Sequence, residues 1–133
     1  MKSLRNSLIL FAILLNAVSC SKPQTEETET LISVSQFEEK IKEDKSIVIL
    51  DVRTPGEFSE GYIAGAINKD YMNENFLNEI ESLDKQKTYV VYCQGGGRQK
   101  NAADQLKSLG FENIYLLEGG FNAWQEQSKP IEK

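Results

Sequence analysis

Two short stretches of the chain carry continuous apolar runs: Ser46 to Val52 (SIVILDV) and Thr88 to Cys93 (TYVVYC). A strand with one face in water alternates apolar and polar residues, so an unbroken run of this length marks a strand covered on both faces. Helical patterns lie between and around these runs. Leu31 to Val34 reads as extended, and Ser35, with Glu38 three residues on, caps a helix that places Phe37 and Ile41 on one face. Pro55 opens a helical turn ended by Gly61, and Ala66-Ile67-Asn68 reads as a short strand. A helix from Asn73 to Leu83 precedes the second apolar run; a helix from Arg98 to Leu109, stopped by Gly110, follows it. Then come a strand, Ile114 to Leu117, a Glu118-Gly119-Gly120 turn, and a last helix carrying Phe121 and Trp124. Strands alternating with helices predict an α/β fold, a parallel sheet with helices on both faces. Ligands of such sheets bind where strand carboxyl ends meet helix amino ends, and Cys93 stands at such an end.

The first residues belong to another pattern. Lys2 and Arg5 precede the uncharged run Leu8 to Leu15, and small residues lead to Cys20. This is the layout of a secretory signal over residues 1–19, with Ala17-Val18-Ser19 as the cleavage site. The run falls short of the roughly 20 apolar residues of a spanning helix. LNAVSC resembles a bacterial lipobox, although Ala17 stands where leucine is usual. That resemblance implies lipid on Cys20, export, and a periplasmic, membrane-anchored protein. Ser21, in place of an acidic residue, points to the outer membrane. Residues 20–30, with Pro23 and the acidic run TEETET, read as a solvated tether, and residues 31–129 as one domain.

Composition removes several functions. Losing Lys2 and Arg5 with the signal leaves 13 of the 15 basic residues against 20 acidic ones, a net charge of −7, which excludes a nucleic-acid partner needing a basic face. There is no histidine, so Cys-His proteases, histidine acid/base catalysis and the common zinc sites are excluded together. The reading holds no cofactor and no metal, and expects a monomer. With Cys20 assigned to lipid, Cys93 is the remaining thiol and has no internal disulfide partner.

Gly95, Gly96 and Gly97 follow Cys93-Gln94 and precede Arg98. Three glycines let peptide N–H groups turn inward as a nest for negative charge. The helix amino end, these amides and Arg98 favour a thiolate at Cys93 without a base. The alternative is an inert cysteine on a glycine-rich turn. A phosphate-binding P-loop is set aside, because the Lys-Ser/Thr pair that closes one is absent.

The segment Cys93-Gln94-Gly95-Gly96-Gly97-Arg98 resembles the active loop of single-domain rhodaneses, sulfurtransferases in which four residues separate cysteine and arginine. Asp51-Val52-Arg53 with Glu57-Phe58, Gly61, Ile63 and Gly65-Ala66-Ile67-Asn68 resembles the family's first signature. Leu109-Gly110-Phe111, Asn113-Ile114, Leu117-Glu118-Gly119-Gly120-Phe121 and Trp124 resemble its last. The resemblance implies a three-layer fold around a parallel five-stranded sheet. It also implies a Cys93 persulfide, cradled by the amides of residues 94–98, that carries sulfur from a small donor, thiosulfate or a persulfide, to a thiol or cyanide. Related phosphatases have a loop one residue longer, which sets apart a third reading, phosphate or arsenate chemistry on the same thiolate. A non-catalytic module that binds a partner or carries sulfur stays open as the second.

Two positions depart from the family pattern: Tyr62, where histidine is frequent, is assigned to packing, and Gln99, where Ser or Thr is usual, to one hydrogen bond near the thiol. Arg53, beside Asp51, is expected to pair with Glu57 or a neighbouring carboxylate and pin the loop after its strand. Arg98 stands alone as the loop's cation, with Lys100 as a possible helper from the helix, so thiosulfate is expected to be a poor donor and a persulfide a better one.

Overall fold

The computed structural model describes residues 29–133. Five strands, β1 (Glu29–Ile32), β2 (Val48–Asp51), β3 (Ile67–Asn68), β4 (Tyr89–Tyr92) and β5 (Ile114–Leu117), form one sheet in the order β1-β5-β4-β2-β3. Every neighbouring pair is parallel. Five helices connect and follow them: α1 (Val34–Glu43), α2 (Pro55–Glu60), α3 (Phe76–Glu81), α4 (Gly97–Ser108) and α5 (Gly120–Glu126). The α/β architecture expected from the alternation of elements is the one found.

The central strand explains why its sequence is apolar throughout. Successive side chains of β4 point to opposite faces. Tyr89 and Val91 pack with Phe76 and Ile80 of α3 and Ala102, Ala103 and Leu106 of α4. Val90 and Tyr92 pack with Val34 and Phe37 of α1 and Phe121 and Trp124 of α5. Two cores, one on each face, leave no position on β4 for a solvated side chain, and all four of its residues are buried.

Several boundaries differ from those expected from the sequence. The α1 cap is Ser33, not Ser35: its side chain accepts from the Gln36 N–H while Gln36 reaches back to the Ser33 N–H. Starting there brings Val34 into the helix three residues before Phe37, and both are buried. A cap at Ser35 would leave Val34 off that face. Helix α3 is shorter than Asn73 to Leu83, because the carboxylate of Asp70 and the amide oxygen of Asn73 accept from the N–H groups of Met72 and Asn75. These local bonds compete with helical ones. The packed domain also extends past 31–129. β1 begins at Glu29, inside the stretch read as tether, and the tail pairs Tyr62 with Glu132 in an antiparallel bridge. Ahead of that bridge the Trp124 indole donates to the Pro130 carbonyl at 2.8 Å. The signal, the cleavage site and Cys20 lie outside the described residues.

Phe37, fully buried, meets Trp124 edge to face with ring centroids 5.7 Å apart. Replacing Phe37 with Ala is expected to cost about 3–5 kcal/mol, read as a lower urea midpoint at an unchanged denaturant slope.

Candidate functional site

β4 delivers Cys93 to the carboxyl edge of the sheet, and α4 begins four residues later at Gly97. The chain makes the turn at Gly96, whose φ of 114° lies in the left-handed region that glycine tolerates. This conformation aims the Gly96 N–H at Cys93 Sγ, 3.0 Å away. The sulfur therefore faces a backbone donor at the amino end of a twelve-residue helix, where the peptide dipoles place positive partial charge. The helix starts one residue before the Arg98 expected from sequence.

Gln99, the residue that departs from the family pattern, is buried directly behind the loop. Its Oε1 accepts from the Cys93 N–H at 3.1 Å, and its Nε2 donates to the Leu117 carbonyl at 2.7 Å. One amide side chain thus ties the cysteine backbone to the end of β5. The hydrogen bond near the thiol assigned to Gln99 is present, made to the cysteine's N–H.

The opposite wall is α5. Phe121 and Asn122 donate their N–H groups to the Cys93 and Gln94 carbonyls at 2.8 and 3.0 Å. This approach requires Gly120: a Cβ there would lie 2.6 Å from the Cys93 oxygen and 2.8 Å from the Gln94 oxygen. The Gln94 side chain belongs to the same wall, accepting from Arg53 Nη1 at 3.0 Å and donating to Asn122 Oδ1.

Of the two partners expected for Arg53, Glu57 or a neighbouring carboxylate, Arg53 takes the second. It is buried against Asp51, with Nη2 to Oδ2 at 2.7 Å and Nε to both carboxylate oxygens. Its Nη2 also reaches the Gly61 carbonyl at 2.7 Å, and its guanidinium lies 4.0 Å over the Phe121 ring. Burial opposes charge on Arg53, but the bonds and charge of Asp51 outweigh it and raise the guanidinium above its ordinary value.

Glu57 belongs instead to Arg98. Both guanidinium nitrogens of Arg98 donate to the two Glu57 oxygens at 2.8 Å. Thr54 holds that carboxylate in place, its N–H and hydroxyl each donating to Oε2 at 2.9 Å, in the capping box that opens α2. The arginine hydrogen bonds chiefly, helped by Thr54 and against burial, lower Glu57 from 4.5 to about 2. Arg98 is the loop's one cation, as expected, and it is paired. Lys100 lines a depression with Glu29, Leu31 and Leu116 at the β1 side of the sheet. Tyr62 packs, as assigned, stacking on Phe58 with centroids 4.1 Å apart. The Glu57–Arg98 pair and the Asn122 contact escaped the sequence reading. Thr54-Pro55-Gly56-Glu57 carries the capping-box signature that could have placed Glu57, whereas nothing local marks Asn122.

With this geometry in place, comparison with known proteins is direct. The rhodanese-like domain family model matches residues 33–127. Thiosulfate sulfurtransferase GlpE of Shewanella oneidensis is 40% identical over 95 residues, covering 71% of this chain and 91% of that protein. Chloroplastic thiosulfate sulfurtransferase 16 of Arabidopsis thaliana is 38% identical over 91 residues, covering 61% of this chain and 76% of that protein. A rhodanese-related protein from Thermoplasma volcanium superimposes with a TM-score of 0.68 at 32% identity, over 77% of this chain and 97% of that one. The chain belongs to the rhodanese-like domain family.

Two outcomes follow from the charges. Arg53→Met leaves Asp51 buried and unpaired, and is expected to destabilise the domain by about 3–5 kcal/mol in urea unfolding. Glu57 has a folded pKa below its ordinary 4.5, so its pairing stabilises the fold fully above about pH 4.5 and is lost as pH falls through about 2. Glu57→Gln should flatten the fall in stability across that window, measured as the urea midpoint at stepped pH.

Proposed function

We propose that this protein is a sulfurtransferase in which Cys93 accepts a sulfane sulfur and passes it to a nucleophile. The observation that carries this reading is the Gly96 N–H held 3.0 Å from Cys93 Sγ at the mouth of α4. A sulfur so placed meets a donor N–H and the positive end of a helix without a general base. This suits a chain that contains no histidine.

In the first step the Cys93 thiolate attacks the outer sulfur of thiosulfate. Its electron pair forms the new S–S bond as the old one breaks, and sulfite leaves with the bonding pair. An alkyl persulfide reacts alike at its terminal sulfur, releasing the alkyl thiolate. Cyanide or a thiolate then attacks the outer sulfur of the Cys93 persulfide, and the Cys93 thiolate is the leaving group. The terminal sulfur keeps a negative charge between the two steps, and the amides of residues 94–98 are assigned to it. Gln99 and Asn122 hold the loop's backbone, and Asp51 and Arg53 hold its supporting wall. The names and identities of the thiosulfate sulfurtransferases above support this assignment.

The amino-terminal residues add a location to the proposal. Cleavage before Cys20 and lipid on that cysteine would tether the domain outside the cytoplasmic membrane, in the periplasm and at the outer membrane. Radiolabelled palmitate carried by the wild type and lost in Cys20→Ala is the expected result.

Incubation with thiosulfate or an alkyl persulfide, followed by intact mass measurement, should show a gain of one sulfur atom located on Cys93. Transfer to cyanide should disappear in Cys93→Ser. A Cys93→Ser protein that transfers sulfur at the wild-type rate sinks the mechanism. Absence of a mass gain from every donor would favour a binding module.

A further inference from the structure

We infer that Glu57 sets the donor class of the loop, selecting sulfur donors without an anionic head group by keeping Arg98 occupied. This rests on the sulfurtransferase reading above.

Thiosulfate arrives as a dianion, and a free cation beside the reacting sulfur would offset its charge. Among the described residues the guanidinium groups are Arg53 and Arg98, and each is already matched to a carboxylate. Arg53 is sealed beneath the loop by Asp51, Gln94 and Gly61. Arg98 belongs to the cysteine loop, five residues after Cys93. The Glu57 hydrogen bonds chiefly, against burial, raise its guanidinium above the ordinary value. Its two nitrogens both point at Glu57. A sulfonate must therefore displace a bidentate carboxylate or accept a neighbouring negative charge.

Glu57 is poorly placed to yield. Its carboxylate takes four hydrogen bonds, two from Arg98 and two from Thr54, and the Thr54 pair belongs to the α2 cap. Swinging Glu57 aside would cost the helix its capping box as well as the ion pair. With its carboxyl lowered to about 2, Glu57 stays ionised throughout the range in which a thiolate reacts. An alkyl persulfide needs none of this rearrangement, because its reacting sulfur meets the loop amides and its remainder carries no sulfonate.

Glu57→Gln tests this, since glutamine also serves at the third helical position of a capping box; it removes the charge and one of the two acceptor oxygens, and so the bidentate hold on Arg98. Glu60→Gln, on the exposed end of the same helix, controls for net charge. Second-order rates of Cys93 sulfur loading should be measured by mass for thiosulfate and for 2-hydroxyethyl persulfide. Glu57→Gln is expected to raise the thiosulfate rate about tenfold, as removal of one nearby unit charge at a protein surface permits. The persulfide rate should stay within about twofold, and Glu60→Gln should leave both donors near wild type. Added salt should speed the wild-type thiosulfate reaction and affect the Glu57→Gln reaction less. Equal changes for both donors, or a thiosulfate rate that falls in Glu57→Gln, would overturn the assignment. If neither donor loads Cys93 in any of the three proteins, the sulfurtransferase reading itself fails and takes this inference with it.

Discussion

One buried guanidinium joins the parts of this domain that meet at Cys93. Arg53 neutralises Asp51 at the end of β2, caps the chain after α2 through the Gly61 carbonyl, braces Gln94 in the loop and lies over Phe121 of α5. An apolar side chain of similar size could fill the same space but could not hold three separate acceptor groups. Burying a charge is unfavourable unless its donors are matched, and here a carboxylate, a carbonyl and a side-chain amide do the matching. The geometry of the loop is thereby referred to the end of β2 in the sheet.

The loop is held from behind by a second set of bonds, in which Gln99 takes the Cys93 N–H and α5 takes the Cys93 and Gln94 carbonyls. Carbonyl groups turned toward α5 leave the inner side of the turn to N–H groups and sulfur. Gly120 makes the close approach of α5 feasible. Hence the Gly-Gly pair that opens α5 belongs functionally to the cysteine loop, although more than twenty residues separate them.

Much of this was legible in the sequence, and the parts that were not share a cause. The apolar runs of β2 and β4 announced strands covered on both faces, and Ile114 to Leu117 was placed as found. The order of elements and the position of Cys93 followed from patterns local in the chain. Two competing caps, Ser33 and Ser35, could be separated only by knowing that Val34 must be buried. Ion-pair partners were the weakest point: Arg53 has Asp51 and Glu57 both within reach along the chain, and only the fold brings Glu57 to Arg98, 41 residues away. Periodicity reports which face a residue occupies, and says nothing about which charge waits across a gap.

The direction of β1 has a consequence of its own. All five strands run the same way, so Glu29, at the amino end of β1, lies on the sheet edge opposite the one that carries Cys93. The chain therefore enters the domain at the pole opposite the cysteine loop, with the length of the sheet between that point of entry and Cys93.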